Sequence, residues 1–132
     1  MIYCIDIDGT ICTKTEDSTY KNAKPRQLVI DKINRLYDEG NHIKIFTARG
    51  GTTGKDWTKL TTEQLRKWGV KYHSLITGKP AADFYIDDKG LNPGEFVLGR
   101  DYDLEMERKE RKEHAKNCSD RGCCCKNRWD GT

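Results

Sequence analysis

Two aspartates, Asp6 and Asp8, stand at the end of an apolar run that opens the chain. Apart from Asp6, residues 2–7 are β-branched, aromatic or small and apolar, which predicts a strand buried on both faces. Open α/β sheets bind their ligands at the carboxyl ends of such strands. A carboxylate there is costly unless it is paired, bound to a metal or used in chemistry. An Asp-Gly turn that follows the strand by chance is the alternative interpretation.

Three further polar clusters follow predicted strands or lie in a turn between them. They are Thr47 with Arg49, then Lys79, and finally Asp87 with Asp88. Because the carboxyl ends of parallel strands meet at one edge of a sheet, we expect these clusters to converge on Asp6 and Asp8. Carboxylate and water oxygens are the ligands that Mg²⁺ prefers. A hydroxyl and a lysine beside that metal would hold a phosphate, and a spare carboxylate could act as a nucleophile.

Helices and strands alternate along the part of the chain that would position these clusters. The predicted elements are a strand over residues 2–7, a helix from Pro25 to Glu39, a strand from His42 to Phe46, a helix from Trp57 to about Trp68, strands from Val70 to Ile76 and from Asp83 to Ile86, and an edge strand from Glu95 to Leu98. In the second helix, Thr61 and Gln64 have capping-box spacing if the helix starts late. This alternation predicts an α/β fold, a doubly wound parallel sheet with right-handed crossovers.

The length of 132 residues predicts one catalytic core over residues 1–100, followed by two polar segments. Residues 101–117 predict a charged helix, because acidic and basic residues recur four apart from Tyr102 to Lys116. Residues 118–132 lack periodicity and predict a disordered, cysteine-containing tail. The tail has adjacent cysteines but no C-x-x-C spacing, so a zinc site there is not favoured.

The composition limits the classes of protein to which the chain could belong. The formal net charge is +3 and the basic residues form no stripe, so a nucleic-acid interface is not favoured. The sequence contains no 18-residue apolar run and no charged-then-apolar leader, and its cysteines form no disulfide framework. We therefore expect a cytoplasmic protein that does not associate with membranes.

The four clusters together resemble the motifs of the haloacid dehalogenase (HAD) superfamily of phosphohydrolases. The matching residues are Asp6-Ile7-Asp8-Gly9-Thr10, Thr47-Ala48-Arg49, Lys79-Pro80 and Asp87-Asp88, in that order. The resemblance covers about residues 1–100. It implies a Rossmann-like core and Mg²⁺-dependent hydrolysis of a phosphomonoester through an aspartyl phosphate.

The same resemblance implies a role for each residue. Asp6 would be the nucleophile, and Asp8 would protonate the leaving oxygen and then deprotonate water. The phosphate or the substrate would be bound by Thr47, Ala48, Arg49 and Lys79. Mg²⁺ would be held by Asp6, the backbone carbonyl of Asp8, Asp87 and Asp88. For Arg49 a second interpretation stays open, an ion pair with an acidic neighbour.

The intervals between the motifs leave no room for the cap domain that such enzymes usually carry. An open site must accept a bulky substrate, borrow a neighbouring subunit as a lid, or tolerate weak selectivity, so a homo-oligomer is left open. The short form resembles small members of the superfamily associated with sugar-phosphate and capsular polysaccharide metabolism. This favours a small phosphorylated metabolite, with a polynucleotide 3′-phosphatase as the alternative.

A non-enzymatic function of another class is the remaining alternative. Receiver-like domains also combine aspartates, Mg²⁺, threonine and lysine, but their acidic pair comes early in the chain and their phosphoacceptor later. Here Asp6 and Asp8 come first and a second acidic pair comes late, which favours the hydrolase. A non-catalytic Mg²⁺-binding module would be expected to have lost one of the four clusters.

Overall fold

The computed structural model describes residues 1–16, 19–51, 54–101 and 109–114. Its elements are β1 (Ile2–Ile5), α1 (Gln27–Asp38), β2 (His42–Thr47), α2 (Thr58–Lys67), β3 (Ser74–Thr77) and α3 (Pro93–Val97), with a single 3₁₀ turn at Tyr20–Asn22. The predicted α/β class with a parallel sheet is confirmed. The chain divides into two compact units, and the first, Met1–Pro93, contains the whole sheet.

The sheet has the order β1-β2-β3, and both pairs of strands are parallel. The register places Ile5 beside Ile45 and Thr47 beside Thr77. The three strands therefore end at the same edge. The polypeptide leaves that edge into the segments that begin at Asp6, Ala48 and Gly78, which brings three of the four predicted clusters to one edge. The fourth cluster, Asp87 with Asp88, follows no described strand.

The strand β1 is not buried on both faces as predicted, and β2 buries alternate residues. Within β1 only Ile5 is buried, whereas Ile2 is 68% exposed and Cys4 is exposed as well. In β2 burial alternates, with Ile43, Ile45 and Thr47 inside. Right-handed crossovers between strands in the order 1-2-3 place α1 and α2 on the same face, which explains the alternation.

The core under that face is built from aliphatic side chains at helical and strand spacing. Val29, Ile30, Ile33 and Leu36 of α1 are all buried, as are the central residues of β2 and Leu65 of α2. The helix begins two residues after the predicted Pro25. Pro25 pairs with Cys12 in an isolated bridge, and the amide of the next residue donates to the Ile11 carbonyl, so this segment is extended.

Two of the predicted strands are absent from the described residues. Residues 83–86 form no strand, and Phe84 and Ile86 are 83% and 95% exposed. The predicted edge strand over residues 95–98 is also wrong, because α3 occupies most of that segment. The third strand is shorter than predicted and starts at Ser74. The described strands follow one another in the order β1-β2-β3, so β2 lies on one side of β1. No described strand pairs with the other side of β1.

The connections within the sheet contain no further domain among their described residues. The β1–β2 connection holds the 3₁₀ turn and α1, and the β2–β3 connection holds α2. Of the predicted charged helix, residues 109–114 are helical and exposed. Most of its other residues, and all of residues 118–132, lie outside the described residues. No described helix has the length and hydrophobicity needed to cross a membrane.

Candidate active site

A tight loop after β1 fixes the position of the first two acidic residues. The carbonyl of Ile7 accepts hydrogen bonds from the amides of Thr10, Ile11 and Cys12, at 3.1, 2.9 and 3.2 Å. Gly9 has a φ of +82°, a backbone conformation that other residues rarely adopt. The side chain of Ile7 is fully buried, so the loop is anchored in the core while Asp6 and Asp8 flank that anchor.

Asp6 lies beside Lys79, as the sequence predicted. The Lys79 Nζ is 3.7 Å from the Asp6 Oδ1, and the two side chains are 17% and 32% exposed. Burial raises the pKa of Asp6 and Asp8 adds to the increase, whereas the Lys79 charge and the Ile7 amide lower it. The Lys79 amide also donates to the Thr47 carbonyl at 3.1 Å, which ties the lysine to the end of β2. Lys79 is therefore paired with Asp6 and is not a solvated turn residue, and its role in catalysis stays a prediction.

Asp8 forms a bidentate ion pair with Arg49. The Arg49 Nε donates to Asp8 Oδ2 and its Nη2 donates to Asp8 Oδ1, both at 2.8 Å. The Asp8 side chain is 22% exposed and that of Arg49 only 1%. Of the two interpretations of Arg49, the structure therefore shows the ion pair with an acidic neighbour. A guanidinium held in this geometry is a strong orienting group for a carboxylate.

The rest of the Arg49 guanidinium is enclosed by other side chains. Its Nη1 donates to Thr61 Oγ1 at 3.1 Å and to Gln64 Oε1 at 2.6 Å. The ring of Tyr20 covers it, with the Arg49 Cζ 4.5 Å from the ring centroid. Burial lowers the pKa of Arg49, but the hydrogen bonds and charge of Asp8 outweigh burial, so the net shift is upward. Arg49 therefore stays charged.

The sequence did not assign Thr61 and Gln64 to the site. Their spacing suggested a capping box, but α2 begins at Thr58 and both residues lie inside the helix. No side chain caps this helix through its N-cap residue, although the Thr58 amide donates to Asp56 Oδ1 at 2.9 Å. The available signal was their position on the same helical face as the buried Leu65, where a polar residue needs a partner.

The Thr47-Ala48 segment shapes the loop at the end of β2. Thr47 is buried, and its Oγ1 accepts a hydrogen bond from the Arg49 amide at 3.1 Å. The Ala48 carbonyl accepts from the Gly51 amide at 3.0 Å. Thr47 therefore holds the Arg49 backbone, and its hydroxyl proton stays available for an anion. Phosphate contact by Thr47 and Ala48 stays a prediction.

The late acidic pair is placed differently from the other clusters. Asp87 and Asp88 are exposed, and Asp87 Oδ1 accepts hydrogen bonds from the amides of Lys89 and Gly90, at 2.9 and 2.6 Å. No group of three or more acidic, histidine or cysteine side chains suited to a metal occurs among the described residues. Oxygen donors of the kind Mg²⁺ prefers are present, but their described arrangement is not a metal cage. The metal site stays a prediction.

A cleft of about 180 Å³ adjoins Arg49 at the ends of β2 and β3. It is lined mainly by the β2–α2 connection, including Gly50, Lys55 and Trp57, and by Thr77 at the end of β3. The Lys55 Nζ lies 4.4 Å from the Trp57 ring centroid, and Trp57 meets Tyr20 edge-to-face at 4.9 Å. This cleft adjoins the Asp8–Arg49 pair through Arg49 and could receive part of a ligand.

Among the solved structures that match the chain, one is 33% identical to it. It is a crystal structure of a protein from Vibrio cholerae, described only as an MCSG target. The match covers 73% of this chain and 86% of the other, and the TM-score is 0.65. This chain belongs to the same family as the Vibrio cholerae protein. The description of that relative states no activity.

Two other solved structures match with 17% identity. The Pnkp1/Rnl/Hen1 complex has a TM-score of 0.48, with coverage of 73% of this chain and 33% of the other. The D,D-heptose 1.7-bisphosphate phosphatase from B. bronchiseptica, complexed with magnesium and phosphate, has a TM-score of 0.47, with coverage of 77% and 63%. No protein-family model matches the chain, and no match is found among curated proteins.

Proposed function

We propose that the chain is a phosphomonoester hydrolase of the HAD type that forms an aspartyl phosphate on Asp6. The observation that carries this proposal is the ion pair between the Asp6 carboxylate and the Lys79 ammonium at the carboxyl edge of the sheet. Burial weakens the solvation of the carboxylate, and the ammonium lies where it would offset charge on an approaching phosphoryl group. Thr47, Asp8 and Arg49 adjoin this pair.

The proposed reaction has two steps at this edge. In the first, an Asp6 carboxylate oxygen bonds to phosphorus while the bond to the leaving oxygen breaks, and the leaving oxygen takes a proton from Asp8. In the second, Asp8 removes a proton from water, which attacks the aspartyl phosphate and releases inorganic phosphate. Asp8 enters the first step protonated and regains that proton from water in the second, so the cycle conserves atoms and charge without a further reactant.

Charge balance supports a requirement for Mg²⁺. The described cluster pairs Asp6 and Asp8 with two cations, Lys79 and Arg49. Its formal charge is zero with Asp8 ionised and +1 with Asp8 protonated for the first step. A phosphate dianion therefore meets at most one surplus positive charge there. A divalent cation would supply the rest, with oxygen ligands from Asp6 and the Asp8 carbonyl. Asp87 or Asp88 would have to approach these two to complete the shell.

The substrate that we propose is a small phosphorylated metabolite such as a sugar phosphate. The cleft beside Arg49 offers hydroxyl, backbone and aromatic groups from Thr58, Thr77, Gly50 and Trp57, which suit a hydroxylated molecule. A polynucleotide 3′-phosphatase is the competing specificity. A phosphate-release screen that compares sugar phosphates with 3′-phosphorylated oligonucleotides distinguishes the two.

The test of the reaction class is phosphate release from p-nitrophenyl phosphate in the presence of Mg²⁺. Asp6→Asn should abolish turnover while the circular dichroism spectrum stays unchanged, because the amide keeps the shape and loses the nucleophile. Rapid acid quench of the wild type should trap phosphate on Asp6. If the variant retains more than a small fraction of wild-type activity, Asp6 is not the nucleophile. An inactive wild type favours the non-catalytic alternative.

A further inference from the structure

Gln64 of α2 contacts two different parts of the site without touching Asp8 in the described hydrogen bonds. Its Oε1 accepts a hydrogen bond from Arg49 Nη1 at 2.6 Å. Its Nε2 donates to the Tyr20 carbonyl, also at 2.6 Å. Gln64 is buried, so each of these bonds replaces one that the amide would otherwise make with water.

Thr61 supports the same guanidinium from one helical turn earlier. Its Oγ1 accepts from Arg49 Nη1 at 3.1 Å, and the residue is fully buried. Thr61 and Gln64 thus fix one edge of the guanidinium, and Asp8 binds the opposite edge through two hydrogen bonds of 2.8 Å. Because the guanidinium is planar and rigid, a contact that orients one of its edges also orients the other. The position of Asp8 therefore depends on two residues of a helix that bears none of the four motifs.

The two oxygens of Asp8 differ in the hydrogen bonds that they accept. Oδ1 accepts from Arg49 Nη2 and, at 3.6 Å, from the Cys12 thiol. Among the described contacts Oδ2 accepts only from Arg49 Nε. A carboxylate offers about four lone-pair sites on its two oxygens. Oδ2 therefore keeps more capacity for a further contact than Oδ1 does.

We propose that Gln64, together with Thr61, is a positioning residue that acts through Arg49 to aim Asp8 Oδ2 at the leaving oxygen. This inference rests on the proposed hydrolase function. When Asp6 bonds to phosphorus and the bond to the leaving oxygen breaks, the electron pair stays on that oxygen and the Asp8 Oδ2 proton moves to it. Without the α2 acceptors the guanidinium shifts, Asp8 shifts with it, and this proton transfer is lost.

The experiment compares two aryl phosphates whose leaving groups differ in their need for a proton. p-Nitrophenolate departs without protonation, whereas phenolate is a poorer leaving group. In Gln64→Leu, kcat/KM with phenyl phosphate should fall at least about tenfold, within the about 100-fold that a 1 Å misplacement can cost. This ratio covers only the steps up to departure of the leaving group, so it excludes the later attack of water, in which Asp8 also takes part. With p-nitrophenyl phosphate kcat/KM should stay within about twofold of the wild type, because that leaving group departs without a proton.

Thr61 and Thr62 supply the matched controls. Thr61→Val removes the hydroxyl and should repeat the leaving-group effect in weaker form, whereas Thr61→Ser keeps the hydroxyl and should behave as the wild type. Thr62 is exposed and bonds to the Thr58 carbonyl within its own helix, so Thr62→Val should change nothing. Thermal melts check that each variant folds. If Gln64→Leu does not fold, the comparison of Thr61→Val with Thr61→Ser tests the proposal.

Three results would overturn the inference. They are equal losses with both substrates, wild-type rates with both in Gln64→Leu, and a Thr61→Ser variant as impaired as Thr61→Val. In each case the wild type is active and only the positioning role fails. A wild type inactive with every phosphomonoester instead overturns the proposed function, and the positioning role with it.

Discussion

At the scale of single residues, Asp6 combines a functional position with a cost to stability. Burial raises its pKa, and the opposing charge of Lys79 does not fully compensate. A raised pKa means that the folded protein disfavours the carboxylate, so stability falls as pH rises through the pKa that Asp6 has in the folded state. Asp6→Asn should therefore raise the melting temperature of the metal-free protein at pH 7 by about 2 to 5 °C.

Melting curves in chelator at two pH values test this prediction. At pH 7 the variant should be more stable than the wild type. The difference should shrink as the pH falls through the raised pKa of Asp6 toward 3.8, the ordinary pKa of an aspartate, because the folded carboxyl is then protonated. Asp83→Asn, at an exposed position, is the matched control and should change nothing. A lower melting temperature for Asp6→Asn at pH 7 would mean that the attraction of Lys79 outweighs the cost of burial.

Cys12 adjoins the site but is predicted to be chemically inert. Burial raises the pKa of its thiol to about 12, with a further increase from the charge of Asp8 and a decrease from Arg49. At pH 8 only about one thiol in ten thousand is then ionised. With iodoacetamide at pH 8, peptide mass spectrometry should find the exposed Cys4 alkylated and Cys12 unmodified. Rapid modification of Cys12 in the folded protein would contradict its placement.

The residues of the site were predictable to different degrees. Asp6, Asp8 and Lys79 could be placed because their positions follow strands or turns, and the sheet itself brings such positions together. The partner of Arg49 could not be predicted. A long side chain can reach several groups, and the group that it contacts depends on which of them are buried. Gln64 was missed for a related reason. Its contacts join α2 to Arg49 and to the Tyr20 turn, which no local spacing specifies.

At the scale of elements, the β2–α2 connection depends on a glycine that permits close packing. Gly50 has a φ of +84°, and a Cβ there would overlap the Lys55 carbonyl oxygen and approach Trp57. Gly54 has a φ of +70° but nothing within 4 Å of the corresponding Cβ position. Gly54→Ala should therefore cost about 1 kcal/mol from backbone strain alone, and Gly50→Ala should cost more than about 2 kcal/mol.

Urea unfolding of Gly50→Ala and Gly54→Ala measures the difference in their free energies of unfolding. The comparison separates backbone strain, which both variants have, from steric overlap, which only Gly50→Ala has. Because Gly50 and Trp57 line the cleft, Gly50→Ala should also raise KM for substrates larger than phenyl phosphate. Equal destabilisation in the two variants would show that the connection does not pack against Gly50 as described.

The segment over residues 83–86 is where the local pattern and the structure disagree. Three consecutive residues of high β-propensity, Phe84 to Ile86, predict a strand. A strand also needs a neighbouring edge with which to pair, and this requirement is not local. Phe84 and Ile86 are exposed, so replacing either by Ser should change the free energy of unfolding by less than about 0.5 kcal/mol. The fully buried Ile45 is the contrast, since Ile45→Ala should cost about 2 to 5 kcal/mol.

Thermal or urea unfolding of Phe84→Ser, Ile86→Ser and Ile45→Ala distinguishes an exposed segment over residues 83–86 from a buried strand. A loss at Phe84 or Ile86 comparable to that at Ile45 would mean that the segment is a buried strand, as the sequence predicted. Tyr85 differs from its neighbours, because its hydroxyl donates to the Pro80 carbonyl and its ring lies 4.3 Å from Lys79 Nζ. The segment is therefore attached to the site through Tyr85.

At the scale of the whole molecule, the proposed reaction depends on whether the late acidic pair can join the early one. Asp6 and Asp8 each have a cationic partner, whereas Asp87 and Asp88 are exposed and Asp87 stabilises its own turn. A divalent cation would offset the repulsion that arises when a third carboxylate approaches Asp6. Binding of Mg²⁺ should therefore be linked both to folding and to the placement of residues 87–88.

Mg²⁺ should raise the melting temperature of the wild type, with a stabilisation of about 2.7 kcal/mol at a hundred times the dissociation constant. Asp87→Asn combined with Asp88→Asn should remove this shift, whereas the control Asp83→Asn should retain it. Ca²⁺ should also stabilise the wild type but fail to support turnover, because its larger and looser coordination would misplace Asp6 for attack on phosphorus. Calorimetric titration of wild type and variants, with phosphate release measured in parallel, tests the scheme. Full activity in chelator, or no Mg²⁺ binding to the wild type, would show that the proposed metal-assisted reaction is wrong.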